Sequence, residues 1–290
     1  MLHARQQFLV NEPTAPTVAD VTLPETLDAA LPQLSEESIP LGGGTDIQPS
    51  RRQGLIKPVR LVSLQNIEEL RGIEIADDGG VCIGAAATLA EIASTVASVQ
   101  SVLTDAIATI ASPQIREMAT LAGNLLQDKR CWFYRNAFPC YKRKGGLAPC
   151  YAIEGDHRFY HAVIDGHRCQ AVTPSDLAVV LNVLDAAVTL KGSNHARSVK
   201  ISDFYTGPGE TVCAPTELLT EVRIPPLRGK KTLFKKLRLW EGDFAMVSAA
   251  ISVSMDTRGQ WHDLRICLGG VAPTPWRAHK TERSLEGRVL

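Results

Sequence analysis

Four of the seven cysteines, Cys131, Cys140, Cys150 and Cys169, fall in a stretch (128–170) with no sustained two-residue or 3.6-residue apolar period. An unstructured loop of that length is uncommon inside a compact domain, so something other than regular backbone pairing has to organise it. A bound metal centre would do so. The gaps between these cysteines are eight, nine and eighteen residues. A compact zinc site normally contains at least one C-x2-4-C knuckle, and none is present. Four thiolates can also hold a 4Fe-4S cube, and residue chemistry alone leaves both metals open. Eight of the sixteen aromatics share the stretch, among them Trp132, Phe133, Phe138 and Tyr151, and would shield a metal from water. Lys129, Arg130, Arg135, Lys142, Arg143 and Lys144 would offset the negative charge of an iron-thiolate centre. His157, His161 and His167 are not needed as ligands, because four thiolates complete a coordination set.

The rest of the composition is that of an ordinary folded protein. A length of 290 residues suits two medium domains, and 44% hydrophobic with 21% charged residues argues against disorder. Basic and acidic residues balance at 31 each, so no single-sign field favours nucleic acid or an anionic membrane. No window reaches transmembrane length, and residues 1–10 lack the apolar run of a signal peptide. Cytoplasmic placement is the default, with periplasmic placement open to co-export on a partner.

Along the chain, helices are expected at 26–34, from Thr88 onward, at 102–110, at 174–184 and near Ala278. Strands are expected at 39–41, 59–64 and 187–191, and a hairpin at 73–83 turning on Asp77, Asp78, Gly79 and Gly80. Alternating stretches at 218–224, 232–239 and 249–255 are expected to be antiparallel strands of a second, α+β domain.

Two turns carry candidate ligand contacts. Leu41, Gly42, Gly43, Gly44, Thr45, Asp46 and Ile47 leave a strand through three glycines, whose missing side chains let backbone N–H groups approach an anion such as a diphosphate. A plain tight turn has the same composition. Thr120, Leu121, Ala122, Gly123 and Asn124 make a second small-residue turn, with a hydroxyl and an amide suited to phosphate or ribose oxygens. Neither has the G-x-G-x-x-G spacing, which disfavours the Rossmann mode of dinucleotide binding.

Together with Pro174-Ser175-Asp176 and Leu268-Gly269-Gly270-Val271-Ala272-Pro273, these turns resemble the medium, FAD-binding subunits of the xanthine dehydrogenase family of molybdenum hydroxylases, from about Phe8 to Gly287. The resemblance implies an α+β chain: a two-lobed FAD-binding domain of the PCMH or vanillyl-alcohol-oxidase-like type over 1–194, with 128–170 as an insertion, then a smaller α+β domain with an antiparallel sheet over 195–290. It implies FAD contacts at Leu41 through Ile47 and at Thr120, Gly123, Asn124 and Asp176, with Ile110, Leu219 and Lys235 near the cofactor. The cysteine insertion is similar to that of two subgroups with an extra 4Fe-4S cluster, periplasmic three-subunit aldehyde oxidoreductases and 4-hydroxybenzoyl-CoA reductase. This likeness favours Cys131, Cys140, Cys150 and Cys169 as iron ligands. The implied role is electron transfer between a 2Fe-2S small subunit and an external acceptor or donor, with substrate oxidised on a molybdopterin-binding large subunit. In the reductase, electrons would run toward molybdenum. A flavin-free scaffold holding zinc is the alternative from another class. Relatives usually continue through a further helical stretch beyond the point where this sequence stops.

Overall fold

The computed structural model describes residues 19–289; the amino-terminal residues without a signal-like run lie outside them. Three short strands, β1 (Asp20–Thr22), β2 (Ser38–Leu41) and β3 (Arg60–Ser63), form a parallel sheet in the order β1-β3-β2. The helix expected at 26–34 is only one α-turn, α1 (Leu27–Ala30), capped by Thr26, whose hydroxyl accepts from Ala29 N–H. Pro32 lacks the N–H that would extend it, and the chain finishes in a 3-10 turn, Leu31–Gln33. Leu27, Ala30, Leu31 and Leu34 then pack on Val62 and Leu64 of the sheet side. The glycine turn leaves the end of β2 and runs into α2 (Ile47–Arg52).

A five-stranded sheet in the order β4-β5-β10-β6-β7 forms the centre of the first unit: β4 (Ile73–Ile75), β5 (Val81–Gly84), β6 (Ala187–Gly192), β7 (His195–Lys200) and β10 (Leu218–Ile224). The expected 73–83 hairpin is present as β4 and β5, with Gly79 at φ +86°. The 218–224 stretch departs from expectation: it pairs with β5 and β6 and not with the later strands. Its inward residues Leu219, Val222 and Ile224 belong to the core beneath β5 and β6, a partner that strand alternation cannot specify. A division after residue 194 falls in the tight turn between β6 and β7, and the chain enters its last sheet only at Lys231. α3 (Leu89–Val96) opens with a capping box between Thr88 and Glu91, and α4 (Ser101–Ala108) stops two residues before the expected end, ahead of Ala111 at φ +46°.

The final sheet is antiparallel, β11 (Lys231–Leu237), β12 (Val247–Met255), β13 (Trp261–Gly269) and β14 (Trp276–Arg277), followed by α12 (His279–Leu285). Every residue of α10 (Asp176–Val183) is buried, because the helix lies between α4 on one side and β12 and β13 on the other. One apolar core therefore runs from Leu103 through Leu177 and Val180 to Phe234, Ala250 and Cys267, joining both units. Between the units run α5 (Pro113–Met118), α6 (Leu121–Leu125) and the cysteine insertion. The insertion has some regular structure after all: one-turn helices α7 (Trp132–Arg135), α8 (Tyr141–Lys144) and α9 (Tyr151–Glu154), too short to show a period. α11 (Ile201–Phe204) and the small hairpin β8 (Tyr205–Gly207) and β9 (Glu210–Thr211) complete the fold. No helix among the described residues is long and apolar enough to cross a membrane.

Two outcomes are expected. Phe204 is fully buried, so Phe204→Ala should cost about 3–5 kcal/mol, read as a lowered denaturant midpoint. The Glu217 carboxylate is buried beneath Arg197, with Nε–H and Nη–H donors both at 2.8 Å, and also accepts from Ala214 N–H. The Arg197 hydrogen bonds hold its pKa down to about 2. A carboxyl depressed in the folded state stabilises above its unfolded pKa, and this stabilisation is lost as pH falls toward the folded value. The stability gap between wild type and Glu217→Gln should therefore be widest above about pH 5 and shrink toward pH 2, as followed by urea midpoints across that window.

Candidate functional site

The two small-residue turns meet. A Cβ on Gly43 would lie 1.5 Å from the Met118 carbonyl oxygen, and one on Gly42 would lie 2.8 Å from Thr120 Oγ1. Only glycine permits this approach. The second turn is fixed from behind: Leu121 and Ala122 donate to the carbonyls of Ala87 and Ala85, and Thr120 Oγ1 accepts from Gly123 N–H at 3.1 Å. Beside the contact opens a cleft of about 360 Å³, within the range of small-molecule and cofactor sites. Its lining combines polar residues, among them Asp46, Thr120 and Asp128, with the apolar side chains of Ile39, Leu64, Leu218 and Leu219. A Cβ at Gly123 would stand 3.0 Å from Thr120 Oγ1, so the cradle depends on small residues on both sides. Glycine turns open to backbone approach beside apolar side chains fit a ligand that carries both a diphosphate and planar apolar rings, as FAD does.

Of the residues singled out from sequence, Gly42, Gly43, Gly44, Thr45, Asp46, Ile47, Thr120, Gly123 and Leu219 line this cleft. Leu41 stands behind it, within 3.5 Å of a Cβ built on Gly44. Asn124 and Asp176 fall in a neighbouring buried group: Ser175 Oγ donates to Asn124 Oδ1 at 2.7 Å, and Asp176 pairs with Lys236 at 2.8 Å. Burial pushes the Asp176 carboxyl up, and Lys236 opposes that. Lys235 points to the opposite face of β11 and is exposed, whereas Lys236 faces inward and also donates to the Thr109 carbonyl. Strand alternation puts these neighbouring lysines on opposite faces. Ile110 packs against the main core, its carbonyl accepting from Arg116.

Sequence reading missed Ala85 and Ala86, the Thr211–Cys213 side of the cleft, and Asp128. The run of small residues after β5 was the available signal for the alanines. It also missed the role of Asp46, whose Oδ1 lies 2.8 Å from Arg130 and 3.2 Å from Arg135 while Oδ2 accepts from Asp128 N–H at 2.7 Å. Burial lowers Arg130 to about 10, which leaves it protonated at neutral pH.

The four cysteines converge. Cys131, Cys140, Cys150 and Cys169 line one small cavity with Phe133, Tyr134 and Tyr151, and all four are free thiols. Cys131, Cys140 and Cys150 each stand immediately before a one-turn helix. Cys131 accepts from the backbone N–H groups of Tyr134 and Phe133, and Cys169 from that of Ala171. Burial nevertheless pushes Cys131 up to about 11. Phe133 contacts Phe138 and Tyr151 with ring centroids 5.2 and 6.1 Å apart, closing one side. His161 is buried with Nε2 3.2 Å from Cys131 Sγ, while His157 and His167 are exposed. Asp128 lines the cleft and Cys131 the thiol cavity; three residues apart, their Cα atoms are separated by at most about 11 Å.

Comparison with known proteins bears on the cleft and the fold. Residues 17–227 match the model of the FAD binding domain in molybdopterin dehydrogenase, and residues 232–290 that of the CO dehydrogenase flavoprotein C-terminal domain. The chain is 36% identical over 266 residues to the aldehyde oxidoreductase FAD-binding subunit PaoB of Escherichia coli, covering 87% of this chain and 81% of that one. It is 30% identical over 260 residues to the carbon monoxide dehydrogenase medium chain of Afipia carboxidovorans, covering 89% and 75%. The solved structure of reconstituted CO dehydrogenase from Oligotropha carboxidovorans superposes with a TM-score of 0.75 at 28% identity, over 94% of this chain and 82% of that one. With a flavin-sized cleft between glycine turns and an antiparallel carboxy-terminal sheet, the chain belongs to the FAD-binding medium subunits of the molybdenum hydroxylases and is an oxidoreductase subunit.

Proposed function

We propose that this chain carries both FAD and a 4Fe-4S cluster and serves as the electron-transfer subunit of a three-subunit molybdenum hydroxylase that oxidises an aldehyde or heteroaromatic substrate. The observation that carries the reading is the single cavity bordered by four thiols, next in the chain to the glycine-turn cleft. The four cysteines border one small cavity walled by Phe133, Tyr134 and Tyr151, and the insertion's likeness to the subgroups with an extra cluster favours iron over zinc. The 36% identity to an aldehyde oxidoreductase subunit favours an aldehyde as substrate.

In this reading the glycine turns admit the diphosphate by backbone approach, and Leu218 and Leu219 supply apolar wall to the cleft. Bound flavin exchanges single electrons with iron-sulfur centres and pairs with an external acceptor or donor. Phe133, Phe138 and Tyr151 keep water from the thiol cavity, and backbone N–H groups from Phe133, Tyr134 and Ala171 point at its sulfurs. Hydrogen bonds to ligand sulfurs favour the more negative, reduced state of such a cluster. Molybdopterin belongs to a large subunit and a 2Fe-2S centre to a small one, both docking on this chain.

Protein purified with its partners should contain flavin, molybdenum and iron in excess of a 2Fe-2S centre, measured by absorbance and metal analysis; colourless chain containing zinc would refute the proposal. Cys140→Ser should remove the extra iron while part of the flavin stays, and unchanged iron content would count against the ligand set. Gly43→Val should do the reverse, expelling FAD with iron retained, because its Cβ drives the two turns apart at Met118. Full flavin occupancy in that variant would exclude the cleft.

A further inference from the structure

One histidine of the insertion stands apart from the other two. His161 is 4% exposed, and its Nε2 lies 3.2 Å from Cys131 Sγ. Its Nδ1 is also buried and finds no hydrogen-bond partner, so the sulfur is the group this ring is placed to bond. The position is fixed by backbone and by packing. His161 forms an antiparallel bridge with Ala171, and the next N–H, that of Ala162, donates to the Gln170 carbonyl at 2.7 Å. These bonds fasten the imidazole to the segment that carries Cys169. Trp132 and Phe133 close on the ring, with centroids 5.5 and 6.1 Å away. Burying a polar ring costs free energy that an apolar side chain in the same place would not, so packing alone does not account for a histidine here. Cys131 already accepts from the backbone N–H groups of Phe133 and Tyr134, and His161 adds a side chain to the same sulfur.

A free thiol can donate to an imidazole or accept from it. A sulfur bound to iron carries no proton, so in the loaded protein the contact has only one sense: Nε2–H donates and the sulfur accepts. We propose that His161 is a positioning residue, not an iron ligand, that holds its Nε2–H on Cys131 Sγ and thereby raises the reduction potential of the cluster. The electron added on reduction spreads onto the cluster sulfurs, where a donor stabilises it more than it stabilises the oxidised state. No proton is transferred and no bond to iron is made or broken. This rests on the 4Fe-4S reading above.

The test is a redox titration of the complex purified with its partner subunits, following the 4Fe-4S signal by electron paramagnetic resonance, with iron measured on every sample. His161→Phe keeps an aromatic ring beside Trp132 and removes the N–H. It is expected to retain iron and to lower the reduced-to-oxidised ratio at a fixed potential about tenfold, a shift of about 59 mV for one electron. His161→Gln restores a side-chain N–H and is expected to lie closer to wild type than to the Phe variant. An unchanged potential in His161→Phe, or a Gln variant shifted as far as the Phe variant, overturns the proposal. If the variants fail to accumulate or lose iron, wild-type complex labelled in its histidine ring nitrogens decides: pulsed resonance of the reduced cluster should show a weak nitrogen coupling carried through the sulfur. No coupling, or the strong coupling of a nitrogen bound to iron, overturns the proposal. Wild type without iron beyond a 2Fe-2S centre defeats the cofactor reading itself and is recognised by metal analysis before any potential is measured.

Discussion

The contact of Gly42 with the Thr120 side chain and of Gly43 with the Met118 backbone is the constraint on which the site depends. At these distances a side chain on Gly43 would separate the parallel-sheet unit from the five-stranded unit and open the cleft. Both turns are anchored by regular structure, the first by the end of β2 and the second by hydrogen bonds to Ala85 and Ala87. The cleft is therefore formed by rigid elements and needs little ordering when a ligand enters, which lowers the entropic cost of binding.

The cysteine insertion acts as a brace as well as a ligand carrier. It reaches the first unit through Asp46 and through the Lys142–Glu210 ion pair. It reaches the second through Tyr160, whose hydroxyl bonds Asp243, through Trp276 Nε1 donating to Asp165, and through backbone bonds from Val163 and Ile164 to Val271. The second unit is also joined to the first by apolar packing around α10, by the Lys236–Asp176 and Arg265–Asp185 ion pairs, and by Lys236 and Arg238 on the Thr109 carbonyl. Short one-turn helices with little apolar area of their own fold weakly alone, so tethers to both sides give the thiol cavity its shape.

Much of this was readable from local pattern. The capping box at Thr88, the hairpin around Gly79 and the helix after Ser175 each depend on chemistry within a few residues, and each appears where the pattern places it. Elements whose identity depends on a distant partner did not read correctly. The 218–224 strand alternates in the same way whether it joins one sheet or the other, and only the apolar surface under β5 and β6 selects its place. The α1 region was overextended because Pro32 stops the helix while the apolar spacing continues.

The sequence alone determined that this chain has two small-residue turns fit for a diphosphate and four cysteines too numerous and too close for chance in an aperiodic stretch, because residue type and spacing carry that chemistry directly. Tertiary structure decided that the turns touch, that the four thiols share a cavity, and that Lys236 rather than Lys235 meets Asp176. It alone turned Asp46 from a cleft residue into the partner of two arginines more than eighty residues away. The reason is physical: short-range preferences are written in neighbouring residues, whereas the pairing of buried charges and the register of strands depend on which surfaces the collapsed core brings together.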